Sequence, residues 1–211
     1  MSKKITARVA IIDLGISNLT SIYNAFQFIA VSAQIINEPF DLKSFSHIVL
    51  PGVGTYSQGM KNLTETKFCE EIVCQIGKGK PLLGICLGMQ LLSTKGEEYG
   101  PSYGLDLIPG VVAKIKSNNN PLRLPHVGWN DVSYPRQSPL WKDIPERSSF
   151  YFIHSYAYAN GTDHTYVIGT TDYGHELIVG LQKDNVFGVQ FHPEKSQEVG
   201  LRLLNNFAAI C

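Results

Sequence analysis

The chain has 211 residues, of which 44% are hydrophobic and 17% charged, and its formal net charge is zero. That balance excludes an intrinsically disordered chain, and without a basic stripe or an aromatic RNA-type motif a nucleic-acid partner is not expected. The length suits one well-cored α/β domain or at most two small ones, and no apolar run approaches the roughly 20 residues that a membrane helix needs.

Electrical neutrality leaves a surface with little self-repulsion, which a partner subunit can cover. The four cysteines are Cys69, Cys74, Cys86 and Cys211, none of them in a Cys-x-x-Cys pair. The opening Met-Ser-Lys-Lys-Ile-Thr has no apolar signal core. A reducing, cytoplasmic setting without disulfides or structural zinc is therefore expected. Cys69 and Cys74 lie five apart on a predicted helix, hence on different faces, and receive no role. The Asn118-Asn119-Asn120 run is read as a loop.

Residues 8–13 form an apolar run of the kind found in strands buried on both faces of a parallel sheet. Leu14-Gly15 turns the chain. Leu19, Ile22, Phe26 and Ile29 then recur at helical spacing, with Ser17 or Asn18 as N-cap. Strands are predicted over residues 33–37 and 47–50, so the chain opens β-α-β-β, as in a doubly wound sheet. Asp13-Leu14-Gly15 has one glycine where a dinucleotide-binding loop needs three, and that function is rejected.

The third strand runs into Pro51-Gly52-Val53-Gly54. Two glycines after a buried strand let the Gly52–Val53 peptide turn its N–H outward, which suits an oxyanion hole completed by the N–H of Leu87. The same residues also suit a plain strand-to-loop turn. A helix is predicted over residues 64–76, closed by Gly77 and Gly79.

Pro81 to Gln90 begins as a buried strand and ends as the first turn of a helix, with Gly84-Ile85-Cys86-Leu87-Gly88 between. A cysteine at such a turn sits in a strained backbone, beside unpaired N–H groups and the positive end of a helix, which favour its thiolate. A buried structural cysteine between packing glycines fits the same spacing.

Beyond Gly100 the texture becomes β-rich, with strands predicted over residues 111–116, 127–134, 150–158 and 166–171. Residues 177–181 and 186–191 form a predicted hairpin, and Leu201, Leu204, Phe207 and Ala208 mark a closing amphipathic helix. No linker divides the chain, so residues 1–211 are expected to form one domain. Phe191-His192-Pro193-Glu194 ends the last strand. Proline restricts the residue before it, so the direction of His192 is well defined, and Glu194 is placed to orient its ring. A solvated loop histidine is the alternative.

Together these segments resemble the class I, triad-type glutamine amidotransferases. The match rests on Pro51-Gly52-Val53-Gly54, on Gly84-Ile85-Cys86-Leu87-Gly88-Met89-Gln90, and on Gly188-Val189-Gln190-Phe191-His192-Pro193-Glu194-Lys195-Ser196. These segments occur in the family's order. The resemblance implies a flavodoxin-like doubly wound mixed α/β sheet with antiparallel strands added in the second half. It implies Cys86 as nucleophile on the amide of glutamine, His192 as general base and then acid, and Glu194 as the residue that orients it. Gly52, Val53 and Leu87 would form the oxyanion hole, and Gln90, His154, Ser155 and Tyr156 would hold the substrate. No cofactor or metal is called for.

The narrower resemblance is to the histidine-pathway branch. It is carried by Asp13-Leu14-Gly15-Ile16-Ser17-Asn18-Leu19, His126-Val127-Gly128-Trp129-Asn130, His154-Ser155-Tyr156 and Thr171-Asp172-Tyr173-Gly174. It implies a heterodimer in which Trp129 and Asn130 lie at the face docked on a (β/α)8-barrel cyclase subunit, which receives the ammonia. Trp129 as an ordinary buried aromatic, and His154 as a structural histidine, remain open at this point. So does a paralogous branch that supplies ammonia to amidinate a surface-polysaccharide sugar. Residues 118–130 and 173–176 would discriminate the two, and His175 is bulkier than the histidine branch leads one to expect. His47, His164 and His175 receive no role, and His126 beside Pro125 is read as shaping its loop.

Overall fold

A computed structural model describes residues 7–15, 17–116 and 122–210; the Asn118-Asn119-Asn120 run, Ile16 and Cys211 lie outside it. In chain order the first half comprises β1 (Arg8–Ile12), α1 (Leu19–Phe28), β2 (Ser32–Ile36), β3 (His47–Gly52), α2 (Tyr56–Glu65), α3 (Phe68–Gly77), β4 (Leu82–Cys86) and α4 (Leu87–Leu91). The second comprises β5 (Lys95–Gly96), β6 (Ser102–Tyr103), β7 (Val111–Lys114), β8 (His126–Val132), β9 (Ser148–His154), β10 (Tyr156–Tyr158), β11 (Val167–Asp172), β12 (Glu176–Lys183), β13 (Val186–Val189) and α5 (Gln197–Ala208).

Among the described residues eleven strands form one mixed sheet in the order β2-β1-β3-β4-β13-β12-β10-β7-β5-β6, with β11 paired to β12. The five strands from β2 to β13 run parallel. Their residues are apolar on both faces because helices cover both: Val9, Ile11 and Val49 pack with α1 and α5, while Ala10, Ile48 and Leu50 pack with α2 and α3. From β12 onward the pairing is antiparallel except between β7 and β5, which run parallel. The β12–β13 hairpin closes through Asp184, at φ 51°, and Asn185. The expected mixed α/β architecture is the one found.

Two local expectations are corrected. Residues 64–76 are not one helix: Thr66 turns its hydroxyl back to the Asn62 carbonyl at 2.6 Å, Lys67 takes φ 62°, and the chain restarts as α3. The helix before that break, α2, begins at Tyr56, with the Thr55 hydroxyl accepting from the Gln58 N–H at 3.4 Å. Residues 150–158 divide at Ser155. β9 pairs with β8 in a separate two-stranded sheet, whereas β10 joins the main sheet. That division carries the second half of the chain over the end of the parallel strands, where the site lies.

Asn18 is the N-cap of α1, its side chain accepting from Ser21 N–H at 3.4 Å. Leu203, Leu204 and Phe207 bury one stripe of α5, while Leu201 and Ala208 lie at its margin.

Candidate active site

Three neighbouring parallel strands end at one edge. Gly52 of β3 stands opposite Cys86 of β4, and Val189 of β13 stands opposite Ile85. The residues that follow these strand ends are therefore delivered side by side: Val53-Gly54, Leu87, and Gln190-Phe191-His192. The carboxyl edge of a parallel sheet is where such folds gather ligands.

Cys86 occupies φ 54°, ψ −110°, a conformation that costs a non-glycine residue about 1–3 kcal/mol. The flanking glycines show what holds it there. A Cβ on Gly84 would lie 2.7 Å from the Gly88 carbonyl oxygen, and a Cβ on Gly88 would lie 1.7 Å from the Leu50 oxygen of β3. The first glycine lets α4 fold back on its own strand. The second lets that helix lie on the neighbouring strand. Because α4 has five residues, its contribution at Cys86 is the unpaired N–H groups of its first turn rather than a long helix dipole.

The thiol is 6% exposed and lines a cavity of about 290 Å³ shared with Val53, Leu87, Gln90, Glu98 and His192. Ile153, His154, Ser155 and Tyr156 close its far side. His192 is buried, and its Nδ1 lies 2.8 Å from Glu194 Oε1, with both side chains almost fully enclosed. Its backbone N–H donates to the Tyr151 carbonyl at 2.9 Å, which fixes the strand end against β9. Burial opposes charge on the ring, but the Cys86 sulfur and the Glu194 carboxylate outweigh it and push the His192 pKa up to about 10. The His192 ring is thus held as an imidazolium beside the Cys86 sulfur. His192 Nε2 is buried and makes no hydrogen bond of normal geometry among the described residues.

A polar chain runs behind the cavity. Gln90 Nε2 donates to the Tyr156 carbonyl and to Gln190 Oε1, both at 3.0 Å. The Tyr156 carbonyl also receives His154 Nδ1 at 2.9 Å, and His154 Nε2 lies 3.0 Å from His126 Nδ1. Burial lowers the pKa of His154 to about 3 and that of His126 to about 4, so both rings are neutral. A carbonyl only accepts, so His154 carries its proton on Nδ1 and accepts on Nε2. His126 must then donate from Nδ1, and its Nε2 accepts from Asn130 Nδ2 at 3.3 Å. Each tautomer is determined by the next.

The two-stranded sheet has two unlike faces. His126, Asn130, Phe150, Phe152 and His154 face inward. Val127, Trp129 and Ile153 face outward, Trp129 at 48% exposure and edge-on to Tyr151. Trp129 is therefore no core aromatic. The Asn130 side chain turns to the opposite face, donating to the Asp172 carbonyl at 2.8 Å as well as to His126. His126 does more than shape a loop, stacking between Phe152 and Tyr173.

Of the residues expected at the site, Cys86, His192, Val53, Leu87, Gln90, His154, Ser155 and Tyr156 meet in one cavity, while Glu194 stands behind His192 rather than in the cavity wall. Gly52 stands beside Cys86 in the sheet rather than in the cavity wall. Glu98 was missed. It is half-buried, and its Oε2 accepts the Tyr56 N–H at 2.8 Å. One of two adjacent acids in an irregular loop, it carries no pattern that could have singled it out.

Fold and site define a class of protein: a doubly wound α/β domain with a buried cysteine at a strand-to-helix elbow and a histidine–glutamate pair at the neighbouring strand end. The family model for glutamine amidotransferase class-I matches residues 10–211. Solved structures agree in fold, among them PurLQS from Thermotoga maritima, at TM-score 0.75 and 20% identity, covering 96% of this chain and 98% of that one. A second, a glutamine amidotransferase, gives TM-score 0.72 at 18% identity, covering 96% and 99% of the two chains. The chain belongs to the class-I glutamine amidotransferase family. Among its relatives is imidazole glycerol phosphate synthase subunit HisH 1 of Campylobacter jejuni, 44% identical over 203 residues, covering 96% of this chain and all of that one. Another is imidazole glycerol phosphate synthase subunit HisH of Moorella thermoacetica, 42% identical, covering 96% and 94%.

Proposed function

We propose that this protein is the glutaminase subunit of imidazole glycerol phosphate synthase, hydrolysing glutamine to glutamate and ammonia for a (β/α)8-barrel cyclase subunit of histidine biosynthesis. The observation that carries the chemistry is the alignment of three strand ends, which sets Cys86 between a glycine-flanked peptide and a buried His192–Glu194 pair. The relatives' shared name supports the pathway. A nucleophilic cysteine needs a reduced thiol, which fits a cytoplasmic setting. No helix among the described residues is long and apolar enough to cross a membrane.

The Cys86 thiolate attacks the side-chain amide carbon of glutamine. Negative charge gathers on the amide oxygen, which the N–H groups of Val53 and Leu87 receive. His192 gives its Nε2 proton to the departing nitrogen, and ammonia leaves behind a γ-glutamyl thioester. Water then attacks the thioester while His192 takes its proton, and glutamate departs from the regenerated thiolate. Glu194 orients the His192 ring throughout and stabilises it in the steps where it is the imidazolium. Glu98, the acidic side chain of the cavity wall, receives the substrate's α-ammonium group, and Gln90 and the 154–156 segment hold the remainder.

The outward face formed by Val127, Trp129 and Ile153 is the docking surface for the barrel. An exposed aromatic ringed by apolar side chains suits the buried centre of an interface. Glutamate release should rise at least about 100-fold when the full chain is mixed with a histidine-pathway barrel subunit and its nucleotide ligand. Unchanged turnover, with Cys86 still labelled by a glutamine-analogue inhibitor, would keep the chemistry and refute the partner.

A further inference from the structure

Gln190 follows β13 two residues before His192, and its side chain is wholly buried, at 0% exposure. The end of its carboxamide that faces the nucleophile is decided by its neighbours. The Tyr156 carbonyl accepts only, so Gln90 must point its nitrogen there. That same nitrogen lies 3.0 Å from Gln190, which therefore presents its oxygen to Gln90. The other end of Gln190, its Nε2, is left 3.7 Å from Cys86 Sγ. The sulfur thus faces an N–H donor, and the orientation of that donor is locked two residues deep.

Another polar contact of the sulfur, besides that with His192, favours the opposite protonation state. The Ile153 carbonyl lies 4.0 Å from Sγ, where it can accept from a thiol and repels a thiolate. A donor on the remaining side offsets that repulsion. Because Gln190 is neutral, it does so without competing with His192 for the proton.

We propose that Gln190 is a positioning residue for the glutaminase reaction, its amide N–H holding the Cys86 sulfur as a thiolate aimed into the substrate cavity. The proposal rests on Cys86 being the nucleophile. It explains why a polar side chain is buried directly after β13, next to the buried Val186, Phe187, Val189 and Phe191. It also gives the Tyr156 carbonyl a second task, since that carbonyl sets the direction of both carboxamides.

The test uses Gln190→Glu and Gln190→Met in the full-length chain. Glutamate keeps an acceptor for Gln90 and removes the donor toward the sulfur, while methionine removes both at similar volume. Iodoacetamide alkylation of Cys86, followed peptide by peptide to separate it from Cys69, Cys74 and Cys211, is measured against pH. Gln190→Glu should raise the alkylation midpoint by at least about 1 pH unit, and Gln190→Met should raise it by less. With the barrel subunit present, kcat should fall at least about tenfold in Gln190→Glu while KM stays within about threefold. A wild-type midpoint in whichever variants fold, or a rise in KM at unchanged kcat, would overturn the proposal and leave Gln190 as a prop for Gln90. Wild-type activity that survives complete Cys86 alkylation would instead overturn the nucleophile assignment itself.

Discussion

Cys86→Ala abolishes glutamine hydrolysis, by at least about 10⁴-fold, while ammonium salts continue to feed the synthase reaction of the complex. The expectation has two parts because the residue has two surroundings. Chemically, alanine offers no nucleophile, and His192 and the strand-end peptides are left with nothing to activate. Structurally, alanine has the same Cβ at φ 54° that cysteine has, so the elbow strain is unchanged and the loss is a single buried sulfur. The fold, the outward face of β8 and β9, and any passage to the partner should survive. Glutamate release and ammonium-dependent product formation, measured on one preparation, separate the two parts. Glutaminase activity retained by the variant would refute the assignment.

Gly88→Ala should damage the fold itself. Its Cβ would stand 1.7 Å from the carbonyl oxygen of Leu50, a backbone atom in a strand paired on both sides. No rotamer relieves a clash with backbone. Either α4 lifts from β3 or the β3–β4 ladder opens, and the loss should be at least about 3 kcal/mol. Gly77→Ala is the matched control, because a Cβ there meets nothing within 4 Å at the end of α3. It should be neutral or stabilising by under about 1 kcal/mol. Urea midpoints of the two variants provide the comparison, and a wild-type midpoint for Gly88→Ala would show that the elbow does not depend on that close approach.

The parts of this protein that could be read from its sequence are those where local chemistry permits few conformations. The Gly84-Ile85-Cys86-Leu87-Gly88 elbow was legible because only glycines tolerate the contacts with Gly88 and Leu50. The parallel strands were legible because burial on both faces leaves continuous apolar runs, as in Val9-Ala10-Ile11-Ile12. The break at Thr66-Lys67 was not, since both residues are acceptable in a helix and the stop depends on one hydroxyl turning back. The division at Ser155 was hidden for a different reason. β9 and β10 share one composition, and only pairing with distant strands separates them.

The site divides in the same way. Cys86, His192 and Glu194 announce themselves through glycine and proline neighbours that fix the backbone. Glu98 lies in a loop that reaches Tyr56, and the His126–His154 contact depends on the pairing of β8 with β9, at separations no periodicity reports. Asn130 shows the limit of motif reading: it shares a strand with Trp129, yet strand alternation sends its side chain to the other face.

The central claim is that Cys86, at the end of β4, is the atom on which glutamine is opened. It is tested most directly by acid-quenching the full chain with glutamine during turnover and mapping the covalent adduct by mass spectrometry. A glutamyl group on the peptide that contains Cys86, absent from Cys86→Ala, is the result expected of a thioester intermediate. Turnover that leaves Cys86 unmodified, or an adduct on Cys69 or Cys74, would contradict it.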